Sequence, residues 1–268
     1  MAPDLYRSRR WAVRSDPRTA VRTAVVWDVL DTLLAELATA SGRAVLDVVD
    51  LGGGTGGFAV PIACLGHRVT VVDPSPDALA ALQRRAAEAG LADTLRGVQG
   101  DAATLGELVP TAGADLVLCH GVLEYVDDPV PAARAALAAL RPGGLVSVLV
   151  AQRLGAVLAR ALSGRFTEAQ RLLDDPDARG AESDPLPRRF DEPALRELLE
   201  AEGARIRLAH GVRLFADLLP GALVDGDPEA AQALLALERA AGDHVVHREL
   251  ARLAAQLHLV AELPVRAD

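Results

Sequence analysis

Val48-Val49-Asp50-Leu51-Gly52-Gly53-Gly54-Thr55-Gly56-Gly57 is the stretch that decides the fold. An apolar run of strand length, Ala44 to Val49 broken only by Asp47, leads into the glycines, and a helical pattern from Gly56 to Leu65 leads out. Without a Cβ the backbone can approach a ligand closely, and a helix start behind it offers unpaired N–H groups. A nucleotide-like cofactor is implied. The spacing Gly52-x-Gly54-x-x-Gly57 also fits the dinucleotide fingerprint, with Asp73 closing the second strand where a ribose hydroxyl is held.

Outward from the loop, strands and helices alternate, which predicts a parallel sheet covered by helices. Upstream, Asp16-Pro17 opens a helix with Val21, Val25, Leu30, Leu33 and Leu37 along one side, ending near Ser41-Gly42. Downstream come a strand at Arg68 to Val72, a helix capped by Ser75-Pro76 and closed by Gly90, and strands at Leu95 to Gln99, Asp115 to Cys119 and Leu145 to Ala151. Short helices are expected near Thr104 to Leu108 and at Val130 to Leu140. Helical periods follow at Leu154 to Leu173, Glu192 to Glu200, Val212 to Leu219 and Pro228 to Leu253, with strands at Ala204 to Ala209 and Leu257 to Glu262. The total is seven strands, the last able to pair antiparallel. The organisation read from this is an N-terminal arm and helix over 1–43 and one domain over 44–268, with helical or lid insertions at about 153–190 and 213–253.

Composition sets bounds on function. The chain has 268 residues and a formal charge of -9, and all 28 of its Lys+Arg are arginine, so a lysine nucleophile or Schiff base is excluded. Acid in excess and few aromatics (two Trp, two Tyr, four Phe) give no general affinity for nucleic acid. A local basic patch exists at Arg7, Arg9, Arg10, Arg14, Arg18 and Arg22, while acid gathers at Asp174 to Asp177 and Glu182 to Asp184. Arg9-Arg10 has the pair of a twin-arginine export signal, but Arg14, Asp16 and Arg18 interrupt the apolar core that should follow, so a cytoplasmic protein is expected. No apolar run has the length of a membrane span. Cys64 and Cys119 lack partners at metal spacing, and no metal is expected.

The glycine loop alone leaves NAD and S-adenosylmethionine open. Asp50 favours the second, because a carboxylate there accepts from a cationic amino-acid moiety and repels a pyrophosphate. Gly100-Asp101-Ala102 sets a carboxylate after the third strand for an adenine amino group, and Arg141-Pro142-Gly143-Gly144 turns into the fifth strand. Together these resemble the class I S-adenosylmethionine-dependent methyltransferases over about Ala44 to Ala151. The resemblance implies a Rossmann-like seven-stranded, mostly parallel sheet with helices on both faces and the last strand antiparallel.

A narrower resemblance, to the tRNA carboxymethoxyuridine (cmo5U) carboxyl methyltransferases, rests on Cys119-His120-Gly121-Val122-Leu123-Glu124-Tyr125-Val126-Asp127-Asp128-Pro129 and on Arg22-Thr23-Ala24-Val25-Val26-Trp27. Gly211 to Asp217, Ala233 to Glu238 and Leu257 to Ala261 fall in family order. It implies methylation of a wobble-nucleoside carboxylate in tRNA, with Arg22, Gly52, Gly53, Asp73, Pro74, Ala102 and His120 lining the cofactor pocket; Asp50, Gly54 and Asp101 join them from the loop chemistry. A carboxylate is ionised at neutral pH, so no general base is required. Acceptor-contact candidates are His120, Tyr125 and Arg213, Arg213 being equally suited to an ion pair with Asp217. The family's arginine and aromatic before the last strand are Ala255 and Gln256 here. The rivals are a methyltransferase acting on a small metabolite, an NAD-dependent oxidoreductase, and a binding protein without turnover.

Overall fold

The computed structural model describes residues 17–175, 184, 186–220, 223–224, 226–242 and 246–265, the side chains of 17–22 excepted. In chain order the elements are α1 (Pro17–Ser41), β1 (Asp47–Leu51), α2 (Ala59–Cys64), β2 (Arg68–Asp73), α3 (Pro76–Glu88), β3 (Leu95–Gln99), α4 (Leu105–Leu108), β4 (Ala114–His120), α5 (Pro129–Ala138) and β5 (Leu140–Ala151). They continue with α6 (Arg153–Leu162), α7 (Phe166–Asp174), α8 (Glu192–Ala201), β6 (Arg205–Val212), α9 (Pro228–Gly242), α10 (Arg248–Ala251) and β7 (Gln256–Glu262). The strands lie in the order β3-β2-β1-β4-β5-β7-β6. The sheet is mostly parallel with the last strands antiparallel, which is the architecture the alternation predicts.

β1 pairs in parallel with β2 on one side and β4 on the other, Asp50 lying opposite Val71 and Leu118. Strands covered on both faces read as unbroken apolar runs, and β4 is buried from Ala114 to Cys119. The chain leaves β1 toward β2 and β3, then returns to β1's other side as β4. Such a reversal opens a crevice beyond the carboxyl ends of β1 and β4, where open α/β sheets bind their ligands.

The chain divides into two compact units, Asp31–Val148 with Arg196–Arg207 and Val260–Asp268, and Met1–Leu30 with Leu149–Leu195 and Leu208–Leu259. In the first, α3 shows how local chemistry sets an element. Ser75 accepts from the Ala78 N–H, Pro76 takes the first helical position, and Leu79, Leu82 and Ala86 face inward. Gly90 at φ +70° closes it, with its own N–H donating to Ala87 O and that of Leu91 to Ala86 O. At the amino ends of the strands Arg43 joins Asp115 and Asp47 (both 2.7 Å), and Arg68 and Arg141 join Asp47. These ion pairs hold β1, β2, β4 and β5 together at the end opposite the glycine loop.

In the second unit, the Gln152 side-chain amide donates to Ala251 O, Ala254 O and Gln256 O at 3.0–3.2 Å. Arg160 and Arg189, both buried, share Asp184. Arg239 of α9 makes a two-pronged pair with Asp28 of α1 (2.6 and 3.0 Å).

Several boundaries differ from those the sequence predicts. β1 runs two residues further, to Leu51, and α2 starts only at Ala59, because Gly56 sits at φ +81°, outside the helical region. β5 begins at Leu140, since Gly143 N–H donates to Leu263 O and Leu263 N–H to Gly144 O, drawing the Arg-Pro-Gly-Gly turn into the sheet. The helix expected over Pro228 to Leu253 is α9 and the short α10. The helix expected over Val212 to Leu219 is a turn: β6 extends to Val212, Arg213 adopts φ +62°, and the next three N–H groups go to a side chain of α9.

Candidate active site

The glycine loop leaves β1 with Gly52 N–H donating to Val72 O at 2.7 Å. Gly52 sits at φ +71°, and a Cβ on it would lie 2.5 Å from Val122 Cγ2, in the segment after β4. Gly53 covers Asp50, whose carboxyl carbon would be 2.5 Å from a Cβ there. Gly54, at φ +54°, donates its N–H to Asp73 Oδ2 at 2.8 Å, while Ser75 N–H donates to Asp73 Oδ1 at 2.9 Å. Added Cβ atoms on Gly57 and Gly121 would meet nothing within 4 Å. Each tight glycine thus has a specific reason, and the loop's other positions leave space beside it.

Asp50 is 2% exposed, and its Oδ2 has no hydrogen-bond partner among the described residues. Burial, and then the nearby charge of Asp73, push its pKa up to about 7. A buried acceptor without a donor costs free energy that a cationic donor offsets.

Asp73 is joined to the end of β3, where Gly100 N–H donates to Asp73 O at 3.2 Å and the Gln99 amide to Pro74 O at 3.3 Å. Asp101, exposed, uses Oδ1 to accept from Ala103 N–H, Thr104 N–H and Thr104 Oγ1 (3.0–3.1 Å). Those bonds, the Thr104 backbone foremost, hold its pKa below the usual carboxylate range. Ala102 beside it is buried.

His120 ends β4. Its Nε2 lies 2.8 Å from Ser147 Oγ of β5, and Phe58 meets its ring edge-on at 5.0 Å. Burial pushes its pKa down to about 3, so the ring is neutral at physiological pH. Cys119, beside it, is pushed up to about 12 by burial and is no thiolate. Tyr125 is 60% exposed.

Nine of the predicted residues therefore gather in the first unit, at the carboxyl ends of β1 to β4: Asp50, Gly52, Gly53, Gly54, Asp73, Pro74, Asp101, Ala102 and His120. Arg213 belongs to the second unit, where its Nε lies 3.2 Å from Asp217 Oδ2. The side chain of Arg22 and the arginines before it lie outside the described residues, as does most of the acidic loop after Asp174. Sequence reasoning missed Phe58, Ser147 and Val122. Ser147 carried a signal, being a lone hydroxyl in the apolar run Leu145 to Val150.

No group of three or more His, Cys, Asp or Glu among the described residues can hold a metal ion, and no described helix is long and apolar enough to cross a membrane. The donor set suits S-adenosylmethionine: for its ammonium, a buried carboxylate at Asp50 whose Oδ2 has no hydrogen-bond partner among the described residues; for its ribose, an anchored one at Asp73; and glycines where side chains would collide.

Comparison with known proteins agrees. A methyltransferase-domain family model matches residues 49–148. The tRNA 5-carboxymethoxyuridine methyltransferase of Escherichia coli K12 is 32% identical over 200 residues, 74% of this chain and 73% of that one. The ubiquinone biosynthesis O-methyltransferase of Methylocella silvestris is 36% identical over 124 residues, 44% of this chain and 45% of that one. An S-adenosylmethionine-dependent methyltransferase from Mesorhizobium loti shares the fold at TM-score 0.56 and 21% identity, covering 81% of this chain and 90% of that one. Another from Methanosarcina mazei does so at 0.56 and 16%, covering 83% and 94%. The chain is a class I methyltransferase that uses S-adenosylmethionine, and it belongs to the same family as the tRNA 5-carboxymethoxyuridine methyltransferase of Escherichia coli.

Proposed function

We propose that the protein methylates the carboxylate of a carboxymethoxyuridine-type wobble nucleoside in tRNA. The observation that carries this reading is the 32% identity over 200 residues, which reaches well beyond the 100-residue stretch matched by the general methyltransferase family.

S-adenosylmethionine supplies a methyl group on a positively charged sulfur. A carboxylate oxygen would take that methyl as the C–S bond pair returned to sulfur, with no proton to move and so no need of a general base. The protein's tasks are then binding, alignment and exclusion of water. Asp50 would accept from the methionyl ammonium, Asp73 would hold the ribose through the lone pairs left by Gly54 and Ser75, and Pro74, Asp101 and Ala102 would border the adenine. His120, with its pKa pushed down to about 3, is a poor base, which suits an acceptor already ionised at neutral pH.

A second reading, methylation of a carboxyl or hydroxyl group on a small metabolite, is favoured by the Methylocella relative and by the charge of -9. One experiment separates them. Mass spectrometry of tRNA nucleosides from a strain lacking the gene should show the carboxymethoxyuridine ester lost and the free acid accumulated, and the purified enzyme should restore the ester. An unchanged ester pool overturns the tRNA reading.

A further inference from the structure

Ser147 interrupts the apolar run Leu145 to Val150 of β5, between Val146 and Val148, and is fully buried. A buried hydroxyl costs free energy unless it is hydrogen-bonded, and alanine or valine would fill a strand position at less cost. Its Oγ lies 2.8 Å from Nε2 of His120, 27 residues away on the neighbouring strand β4. His120 stands at the carboxyl end of β4, where the chain meets the glycine loop: a Cβ on Gly52 would lie 4.0 Å from His120 O and 2.5 Å from Val122 Cγ2. From the other end of that loop Phe58, the residue after Gly57, meets the imidazole edge-on, with ring centroids 5.0 Å apart and planes at 85°. All of these residues belong to the unit that carries the glycine loop.

These contacts fix more than a position. A hydrogen bond at one ring nitrogen and a perpendicular aromatic ring beside it hold the imidazole in one orientation. The ring is neutral, since burial pushes its pKa down to about 3. A neutral imidazole carries its proton on one nitrogen and accepts on the other, so the bond that Nε2 makes decides which edge gives and which takes. An imidazole in water exchanges between the two forms, whereas a hydroxyl held within a sheet selects one.

We propose that Ser147 is a positioning residue for the cofactor site: its hydroxyl fixes the tautomer and ring plane of His120, so that the imidazole borders the S-adenosylmethionine crevice with one defined hydrogen-bonding edge. This rests on His120 lining the cofactor pocket, as the family resemblance implies. Ser147 acts only through the ring, from the strand behind it. Ser147→Ala removes the hydroxyl and leaves the strand otherwise intact. Ser147→Cys keeps a group of similar size with a much weaker hydrogen bond and serves as the second variant.

The test joins NMR of the imidazole nitrogens in the full chain with calorimetric Kd for S-adenosylhomocysteine. The His120 signals, assigned by their loss in His120→Phe, should be those of a single neutral tautomer in the wild type and averaged between the two tautomers in Ser147→Ala. Ser147→Ala should weaken S-adenosylhomocysteine binding by about fivefold, and His120→Phe by as much or more. The double variant should fall no further than His120→Phe alone. Averaged signals in the wild type, or an unchanged tautomer in Ser147→Ala, overturn the proposal. So does a Ser147→Ala loss that persists in the His120→Phe background, or a normal Kd for Ser147→Ala beside a defective His120→Phe. A His120→Phe variant that binds S-adenosylhomocysteine as the wild type does defeats the pocket role of His120 itself, and leaves the serine's bond to the ring a structural one. Should Ser147→Ala not fold, Ser147→Cys in the same cycle decides.

Discussion

At the scale of single residues, Asp50 sets stability against binding. Its pKa is about 7 in the folded chain against 3.8 for an unperturbed carboxyl, so the folded state holds its proton more tightly than the unfolded one. By linkage the group's contribution is most favourable below the unfolded value, declines as pH rises toward 7, and is level above it. Each pKa unit corresponds to about 1.4 kcal/mol, so Asp50→Asn should raise Tm at pH 8 by about 10 °C and by progressively less toward pH 4. In the role proposed for Asp50 the same ionised form would accept the cofactor's ammonium, so wild-type affinity for S-adenosylhomocysteine should weaken about tenfold from pH 8 to pH 6. Calorimetric Kd and thermal melts across that range check both, and Asp50→Asn should bind weakly with no such pH dependence. The places of Asp50 and Asp73 were legible from sequence because each sits at a strand end beside the glycine loop or its partner strand, whereas His120 entered through the family resemblance of the segment Cys119 to Pro129. Ser147 and Glu238 act on residues 27 and 22 to 24 positions away, and only the packing of β5 and α9 brings them there.

At the scale of elements, turns decide what periodicity leaves open. The glycine loop was readable because left-handed φ and close backbone approach admit only one residue type. Gly52→Ala should cost about 1–2 kcal/mol for the left-handed backbone, and more for the Val122 contact at 2.5 Å. Cofactor binding should fail with it, which a melt and a calorimetric titration report together. Residues 212–219 were misread as a helix because Val212, Leu214, Phe215, Leu218 and Leu219 have helical spacing, and no local signal shows that Glu238 captures the amides. Four-residue spacing nevertheless brings Arg213 to Asp217, through the turn and without a helix. The shared pair at Asp184 illustrates another long-range constraint. Burial, the largest single influence, pushes the Asp184 pKa up, but the hydrogen bonds from Arg189 and Leu186 N–H and the charges of Arg189 and Arg160 together outweigh it, and the net shift is downward. Its stabilisation is therefore present at neutral pH and is lost as pH falls below the ordinary carboxylate range. Asp184→Ala leaves Arg160 and Arg189 buried without their shared anion and should destabilise by about 3 kcal/mol or more, read by urea denaturation at pH 7.

At the scale of the whole molecule, a charge of -9 opposes long-range attraction to RNA, so the proposed tRNA substrate would have to be recognised locally and by arginine, the chain's only fixed cationic side chain. Counterion release makes that measurable, because each phosphate neutralised adds about -0.7 to the slope of log K against log salt for single-stranded nucleic acid. The described arginines are largely committed to carboxylates, Arg43, Arg68, Arg141, Arg153, Arg205 and Arg207 among them, and are poorly placed to add to it. The arginines before Arg22 have little acid beside them in sequence, with Asp4 and Asp16 against Arg7, Arg9, Arg10, Arg14 and Arg18. An anticodon stem-loop should therefore bind with a slope of about -1.5 to -3, small for an RNA-binding protein. Arg9→Ala combined with Arg10→Ala should make it shallower by about 1 while leaving S-adenosylhomocysteine binding unchanged. A zero slope with full methyl transfer to a free carboxylic acid would identify a small-molecule enzyme on the same fold. An unchanged slope in the double variant would remove the arm from RNA recognition and leave the phosphate contacts to residues after Arg22.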